Sequence, residues 1–218
     1  MNEAFHKLDP EKQRRIWDAV LREFAQHGYA NASTNRIVQE AGIGKGMLFY
    51  YFNSKEELFR RALEYSLDYL QREYVSKLDY TEPDFITRFV QITELKMRAH
   101  LQNPLPFALL ANVQINQDAR QLFPDLQQRM AELASSELSK LWANVDTSLF
   151  REDIPPRQVM NLIRWSMEGY QNEVMNQLKD KDLTGLDWQA YVEEFYAFLG
   201  VLRKVFYKEG DHGSTKSQ

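Results

Sequence analysis

The sequence predicts an all-α protein, and three observations support this fold class. Glycine and proline, the residues that most often interrupt helices, number only 9 and 7 among 218 residues. Apolar residues recur at spacings of three and four along most of the chain, which is the period of an amphipathic helix. No stretch has the apolar–polar alternation of a half-buried β-strand. We therefore expect a series of helices, arranged in one or two domains.

The first long helix is predicted to begin at Asp9-Pro10, because aspartate caps a helix and proline fits its first position. Gly28 is expected to end it. The residues before Asp9 are predicted to form a loose arm. One apolar face follows from residues at four-residue spacing: Ile16, Val20 and Phe24.

Two short helices and the start of a longer one are predicted between residues 33 and 58. Ser33 and Thr34 carry hydroxyls that can cap the first, and Gly42 can end it in the left-handed region. The second runs from Gly44 to Phe52. The sequence Ser54-Lys55-Glu56-Glu57 then forms a capping box, which opens the third helix.

Two short helices joined by a glycine turn are the plan of a helix-turn-helix, whose second helix enters the major groove of DNA. The start of that helix carries Lys45, which suits a phosphate or a guanine edge, and Gly46, which lets the backbone come close. Tyrosine hydroxyls further along can donate to phosphate oxygens. The predicted DNA-binding residues are Ser33, Thr34, Asn35, Lys45, Gly46, Met47, Phe49, Tyr50, Tyr51 and Lys55.

A longer pattern surrounds this stretch, formed by Ile16, Ala19, Phe24, Gly28, Tyr29, Ala41, Gly42, Lys45, Gly46, Leu48, Tyr51, Phe52, Lys55 and Leu58. The pattern resembles the DNA-binding domain of the TetR family of bacterial transcriptional regulators, and it covers roughly the first quarter of the chain. The sequence departs from the family pattern at Gly44, where serine or threonine is usual, at Met47 and at Phe49. We therefore predict a three-helix DNA-binding domain over residues 1–54. A larger helical domain for effector binding and dimerisation is predicted over residues 55–218.

Further helices are predicted over residues 55–78, 83–101, 104–115, 118–142, 155–178 and 187–206. The last two are apolar on more than one side, whereas a surface helix needs only one apolar stripe. The surplus predicts a two-fold dimer interface, and the family resemblance implies the same homodimer. Two recognition helices would then bind a palindromic operator in double-stranded DNA.

The chemistry of the chain favours no catalytic class. There is no cysteine, which excludes disulfides and thiol catalysis and fits the cytoplasm. The four histidines form no metal-ligand pattern, and no phosphate-binding loop or nucleophile elbow occurs. No apolar run approaches the ~20 residues of a membrane span, and no signal peptide opens the chain. We expect no enzyme activity, no cofactor, no metal and no membrane association.

The aromatic and methionine residues of the larger domain allow two interpretations. Core packing accounts for most of them, but a cavity for an apolar or amphipathic effector is the alternative. The predicted ligand-binding residues are His100, Phe107, Trp142, Trp165, Glu168 and Tyr170. The sequence leaves open whether the effector is a drug-like cation, a fatty acyl compound or a flavonoid-like aromatic.

The predicted function is that of a ligand-responsive repressor that releases its palindromic operator when the effector binds. An activator would use the same parts. A contrasting hypothesis is a helical small-molecule-binding protein with a vestigial DNA-binding domain.

Overall fold

A computed structural model describes residues 3–115, 121–178 and 188–208, and the all-α prediction is confirmed. Within those ranges the chain has no β-strand, only an isolated bridge between Phe150 and Tyr207. Short 3-10 turns occupy Val75–Lys77 and Thr147–Leu149. The α-helices are α1 Glu3–His6, α2 Pro10–Asn31, α3 Thr34–Ala41, α4 Lys45–Phe52, α5 Lys55–Glu73, α6 Phe85–Gln102, α7 Pro104–Ile115, α8 Pro124–Trp142, α9 Pro156–Leu178 and α10 Trp188–Phe206.

The helix starts in the first third of the chain lie where their capping residues predict. Asp9, Ser33 and Ser54 each accept hydrogen bonds from backbone N–H groups in the first turn of α2, α3 and α5. Such caps satisfy donors that have no partner within the helix. Gly42 takes the predicted left-handed conformation (φ 65°, ψ 40°) at the end of α3. Local signals therefore fix the spacing of these elements.

Several predicted boundaries shift. Gly28 has φ 65° and ψ 178°, so it breaks the regular course of α2, but the helix resumes and ends at Asn31. Helix α5 ends at Glu73 instead of Leu78, because a 3-10 turn follows it. Helix α8 begins at Pro124. The predicted starts at Asp118 and Asp187 lie outside the described residues.

The prediction of a loose arm before Asp9 is wrong. Residues Glu3–His6 form α1, and the Phe5 side chain is only 1% exposed. A lone phenylalanine in a polar segment has no periodicity from which burial could be predicted. Its burial depends on aromatic side chains that lie 12 and more residues further along the chain.

The contacts divide the chain into two compact units. Unit 1 comprises residues 1–78 and 93–140, and unit 2 comprises residues 79–92 and 141–218. These limits differ from the predicted boundary after residue 54, since α5 packs with the N-terminal helices. The functional division into residues 1–54 and 55–218 stays a prediction.

Unit 1 has a single apolar core that joins the N-terminal helices to later ones. Helix α7 packs against both α2 and α5, and it buries Leu109 and Val113 completely. Asn112 on the same helix donates from Nδ2 to the backbone oxygen of Ala25 at 3.1 Å, one turn before the break at Gly28. The core of unit 1 therefore extends beyond the helix-turn-helix residues.

Unit 2 contains a buried cationic side chain, that of Arg88. The Arg88 side chain is fully buried and donates to four backbone oxygens, those of Glu82, Leu141, Ala143 and Asn144. Three of these oxygens lie at the end of α8 or just beyond it, where helix carbonyls lack partners and carry partial negative charge. Arg88 therefore fixes the first part of α6 to the end of α8.

An ion pair in unit 2 joins the start of α6 to the end of α10. Arg203 donates to both carboxylate oxygens of Asp84 at 2.8 and 2.9 Å, and also to the Thr87 hydroxyl at 2.9 Å. Burial raises the pKa of Asp84, but hydrogen bonds from Arg203 and from the Thr87 backbone outweigh it and leave the pKa lowered. The carboxylate is therefore held ionised.

Candidate DNA-binding site

Helix α4 has two distinct faces. Leu48, Tyr51 and Phe52 are at most 2% exposed and pack into the core of unit 1. The opposite face starts with Lys45 and Gly46, which are exposed. It continues through Met47 and Tyr50, whose side chains are 42% and 59% exposed. The N-terminal end of α4 and the face that carries Met47 and Tyr50 are therefore accessible to an external partner.

The turn between α3 and α4 is short and held by its backbone. The Gly42 N–H donates to the Gln39 oxygen at 3.3 Å, and the Ile43 N–H donates to the Val38 oxygen at 3.0 Å. Positive φ at Gly42 lets the chain reverse without the steric cost of a side chain. The two helices and this turn form the predicted helix-turn-helix.

A buried carboxylate holds the start of α3. Glu23 on α2 is 5% exposed and accepts from the Ser33 backbone N–H at 2.7 Å and from Arg36 Nε at 3.0 Å. Arg36 also donates to the Asn31 oxygen at 3.0 Å. Burial raises the pKa of Glu23, but the hydrogen bonds from Arg36 and Ser33 outweigh it, so the pKa lies below its usual value. This network fixes α3 against α2.

The predicted contacts at the start of α3 occupy the expected places. Asn35 is exposed, and Ser33 and Thr34 are half-buried. These residues surround a helix N-terminus, which favours a phosphate because its backbone N–H groups carry partial positive charge. Their predicted contacts with DNA stay predictions.

Tyr51 and Phe49 are less exposed than residues predicted to contact DNA should be. Tyr51 is 2% exposed, and its ring lies 5.6 Å from that of Phe5. Phe49 is half-buried. Because the Tyr51 ring packs in the core of unit 1, the proposed DNA interface does not include it.

Lys55 has an intramolecular partner. Its ammonium group donates to the Ala30 backbone oxygen at 3.2 Å and lies 5.0 Å from the centre of the Tyr29 ring. Burial lowers the pKa of Lys55, against an opposing effect of Glu23. Lys55 therefore joins the start of α5 to the last turn of α2. The ammonium has three N–H donors, so the predicted phosphate contact stays a prediction.

The predicted ligand-binding residues fall in both compact units. In unit 1, His100 lies edge-on to Phe107 with 5.3 Å between ring centres. Burial, followed by the charge of Lys96, lowers the pKa of His100. In unit 2, Trp142 stacks on Phe85 at 5.5 Å. Trp142 therefore belongs to the core of unit 2.

The other three predicted ligand-binding residues lie on α9. Glu168 pairs with Arg164 at 2.7 Å, and Trp165 is 56% exposed. Tyr170 stacks on Phe198 at 4.7 Å. A cleft of about 320 Å³ lies in unit 1, between α1, α2 and α5, and none of the six predicted ligand-binding residues lines it. Their role in binding an effector stays a prediction.

An all-α core with a helix-turn-helix, and a recognition helix exposed at its N-terminal end, defines the class of helix-turn-helix DNA-binding regulators. The family model for bacterial regulatory proteins of the tetR family matches residues 16–62. Residues 16–62 therefore carry the DNA-binding domain typical of this family, as the sequence pattern predicts. In the part of the chain that the structure describes, no helix is both long and apolar enough to cross a membrane.

Individual relatives support the same assignment. The chain is 44% identical over 57 residues to the HTH-type transcriptional repressor SCO4008 of Streptomyces coelicolor, a match covering 26% of this chain and 30% of the relative. It is 26% identical over 165 residues to the repressor AcnR of Corynebacterium efficiens, covering 72% and 79%. The match spans about a third of the length of the first curated relatives.

Solved structures share the fold. The ketosteroid transcriptional regulator KstR2 of Mycobacterium tuberculosis superposes with a TM-score of 0.63 at 18% identity, covering 93% of this chain and 98% of that chain. The transcriptional regulator SCO4942 of Streptomyces coelicolor superposes with a TM-score of 0.53 at 22% identity, covering 89% and 98%. The likeness extends over both compact units.

Proposed function

We propose that this protein is a transcriptional repressor that binds a palindromic operator in double-stranded DNA. The observation that carries the proposal is the exposed N-terminal end of α4, with Lys45 and Gly46 beside the exposed side chain of Met47. A helix presented in this way fits the major groove, where a lysine can reach a guanine edge or a phosphate. The protein would act in the cytoplasm, where its DNA is found.

The test combines selection of bound sequences from random duplex DNA with mobility-shift titrations on the selected operator. We expect wild type to select one palindrome and Lys45→Ala to bind it at least about tenfold more weakly, which is the loss of one base contact. Lys12→Ala, a lysine near the start of α2, is the matched control. Recovery of no preferred sequence would overturn the proposal.

We further propose that the protein is a homodimer through α9 and α10. Among the described side chains of these helices, six large apolar ones are at least 39% exposed, although residues of this kind usually lie inside. They are Leu162, Trp165, Val192, Tyr196, Val201 and Val205. Gly169 and Gly200 lie on the same two helices, and a Cβ added at either would meet nothing within 4 Å apart from its own stretch of helix. Both positions therefore leave room for close packing.

A small apolar or amphipathic effector is proposed to bind the larger helical domain and weaken operator binding. Two buried polar atoms of α9, the Tyr170 hydroxyl and Arg164 Nε, have no hydrogen-bond partner among the described residues. Buried polar groups normally have one, so they are suitable points for a ligand. The effector would shift the population towards a spacing of recognition helices that does not fit successive grooves.

A further inference from the structure

Phe5 lies against the buried side of the recognition helix. Its ring centre is 5.0 Å from that of Phe52, 5.6 Å from that of Tyr51 and 5.8 Å from that of Trp17. Trp17 also contacts Phe52, at 5.6 Å. We call these four residues the aromatic cluster. Two of the three buried side chains of α4, Tyr51 and Phe52, therefore contact Phe5, which lies outside the helix-turn-helix.

The N-terminal end of α4 lacks a side-chain cap. Its N-cap residue, Gly44, has no side chain that could accept a hydrogen bond from the N–H groups of the first turn. Leu48 is the other fully buried side chain of the helix. Edge-on and tilted aromatic contacts have preferred geometries, which makes the aromatic cluster more directional than aliphatic packing.

The segment that carries Phe5 is fastened to α2. The Gln13 side-chain amide donates to the backbone oxygens of Leu8 at 2.9 Å and of His6 at 3.3 Å. The Leu8 N–H donates to the Phe5 oxygen at 3.1 Å. Gln13 therefore satisfies carbonyls at the end of α1 and keeps Phe5 in place. Both residues precede residues 16–62, which match the family model.

We propose that Phe5 is a positioning residue for operator recognition. By packing against the C-terminal half of α4, it fixes the orientation of the helix in which Lys45 and Gly46 contact the major groove. Hydrogen bonds to base edges weaken steeply with small errors in distance and angle. A loosened α4 therefore loses base contacts first. Phosphate contacts made by other elements tolerate the change. This inference rests on the proposed DNA-binding function.

The experiment compares Phe5→Ala, Phe5→Leu and the control His6→Ala in the full chain. His6 is the exposed neighbour of Phe5 on α1. Mobility shifts measure affinity for the selected operator and for an unrelated duplex. Hydrogen exchange measures protection of α4 relative to α3, which has no residue in the aromatic cluster.

For Phe5→Ala we expect operator affinity to fall at least about tenfold, with affinity for the unrelated duplex within about twofold of wild type. Exchange should rise in α4 and not in α3. Phe5→Leu should restore most of both properties, and His6→Ala should match wild type. Unchanged operator affinity in Phe5→Ala would overturn the inference. So would equal losses on both duplexes with equal exchange in α3 and α4, because those indicate general destabilisation.

Gln13→Glu provides a milder second variant, in case Phe5→Ala does not fold. The carboxylate keeps the size of the side chain but cannot donate to the carbonyls of α1. We expect faster exchange in α4 and a smaller loss of operator affinity, and wild-type behaviour would count against the inference. If wild type itself prefers no sequence, the proposed function fails, while exchange in α4 still decides whether Phe5 seats the helix.

Discussion

At Gly46, alanine would stabilise the helix better, whereas glycine is better suited to close contact with DNA. An added Cβ would have no neighbour within 4 Å, and the residue lies inside α4. Alanine is favoured over glycine in a helix by up to about 1 kcal/mol. Gly46→Ala should therefore leave the free protein as stable as wild type or more stable. The methyl group should weaken operator binding about tenfold or more, because it enters the space through which the backbone approaches DNA.

Thermal unfolding and mobility shifts on one preparation of Gly46→Ala measure the two effects together. Normal operator affinity in a stabilised variant would mean that the backbone at Gly46 does not approach the DNA closely. A variant that loses stability would instead contradict the open surroundings of this glycine in the free protein.

Glu23 gives a prediction that depends on pH. Its folded-state pKa is lowered from an ordinary value of 4.5, so the ionised form stabilises the fold above about pH 4.5. That stabilisation is lost as the pH falls through the folded-state pKa. Glu23→Gln should lower the free energy of unfolding by about 1.5–3 kcal/mol at pH 7, the range for hydrogen bonds to charged groups. The difference from wild type should shrink in acid.

Urea unfolding of Glu23→Gln between pH 3 and 7 provides the measurement. Glu40→Gln is the matched control, because Glu40 forms a half-exposed pair with Arg22 at 3.0 Å. Such surface pairs contribute about 0–1 kcal/mol. A stability difference between Glu23→Gln and wild type that stays constant with pH would rule out this role for the carboxylate.

At the scale of elements, Lys55 joins two helices and is also predicted to contact a DNA phosphate. Lys55→Met keeps the side-chain stem on Tyr29 but removes the donor to the Ala30 oxygen. We expect the free energy of unfolding to fall by about 1 kcal/mol for the lost hydrogen bond. Affinity for all duplexes should fall alike, and its salt dependence should flatten by about one unit of slope. Titrations at several salt concentrations test this, and an unchanged slope would leave only the structural role.

In unit 2, Arg88 likewise joins two helices, the first part of α6 and the end of α8. Arg88→Met fills a similar volume but leaves four backbone oxygens without their donor. We expect the free energy of unfolding of unit 2 to fall by about 3 kcal/mol or more, because buried acceptors lose their partners. Urea unfolding followed by circular dichroism measures this. Arg157→Met at an exposed position is the control, and equal effects of the two changes would contradict the structural account.

The elements that the sequence predicts well are those with local signals. The capping residues Asp9, Ser33 and Ser54 act on N–H groups within three residues, so their helix starts follow from the sequence alone. Phe5 and Arg88 carry no such signal. Phe5 depends on distant aromatic rings, and Arg88 on backbone oxygens up to 56 residues away, which no side-chain pattern reveals.

Residues of the candidate site divide in the same way. Exposure of Lys45, Met47 and Tyr50 follows from the helical period, because Leu48 and Phe52 define the buried side of α4. The same period places Tyr51, three residues after Leu48, on the buried side, so its prediction as a DNA contact conflicts with the helical spacing. The hydrogen bonds from Arg36 to Glu23 do not follow from the sequence. They join side chains 13 residues apart on different helices, beyond the reach of helical spacing rules.

At the scale of the whole molecule, the exposed apolar face of α9 and α10 predicts a dimer. Sedimentation at micromolar concentration should give twice the chain mass of 25.8 kDa. Trp165→Glu combined with Val201→Glu should give a folded monomer, because two buried charges oppose association. Gln177→Glu, which adds one negative charge at another exposed position of α9, should stay dimeric. A monomeric wild type would refute the proposed interface.

Reciprocity provides the test of the proposed effector response. If an effector weakens operator binding by some factor, operator must weaken effector binding by the same factor, roughly 5- to 150-fold for typical coupling. A chemically diverse ligand set, titrated with and without operator, measures this through tryptophan fluorescence. Ligands that bind equally well in both titrations would show that the two sites are not coupled.

The hydrogen bonds of Arg88 have a consequence for how the sequence can change. Every acceptor is a main-chain oxygen, which persists whatever side chain its residue carries. A saturation-mutagenesis map should therefore show intolerance at Arg88 but broad tolerance at Ala143, with no paired substitution able to rescue the loss of the arginine. Covariation between sequences would leave this connection invisible, although it joins the first part of α6 to the end of α8.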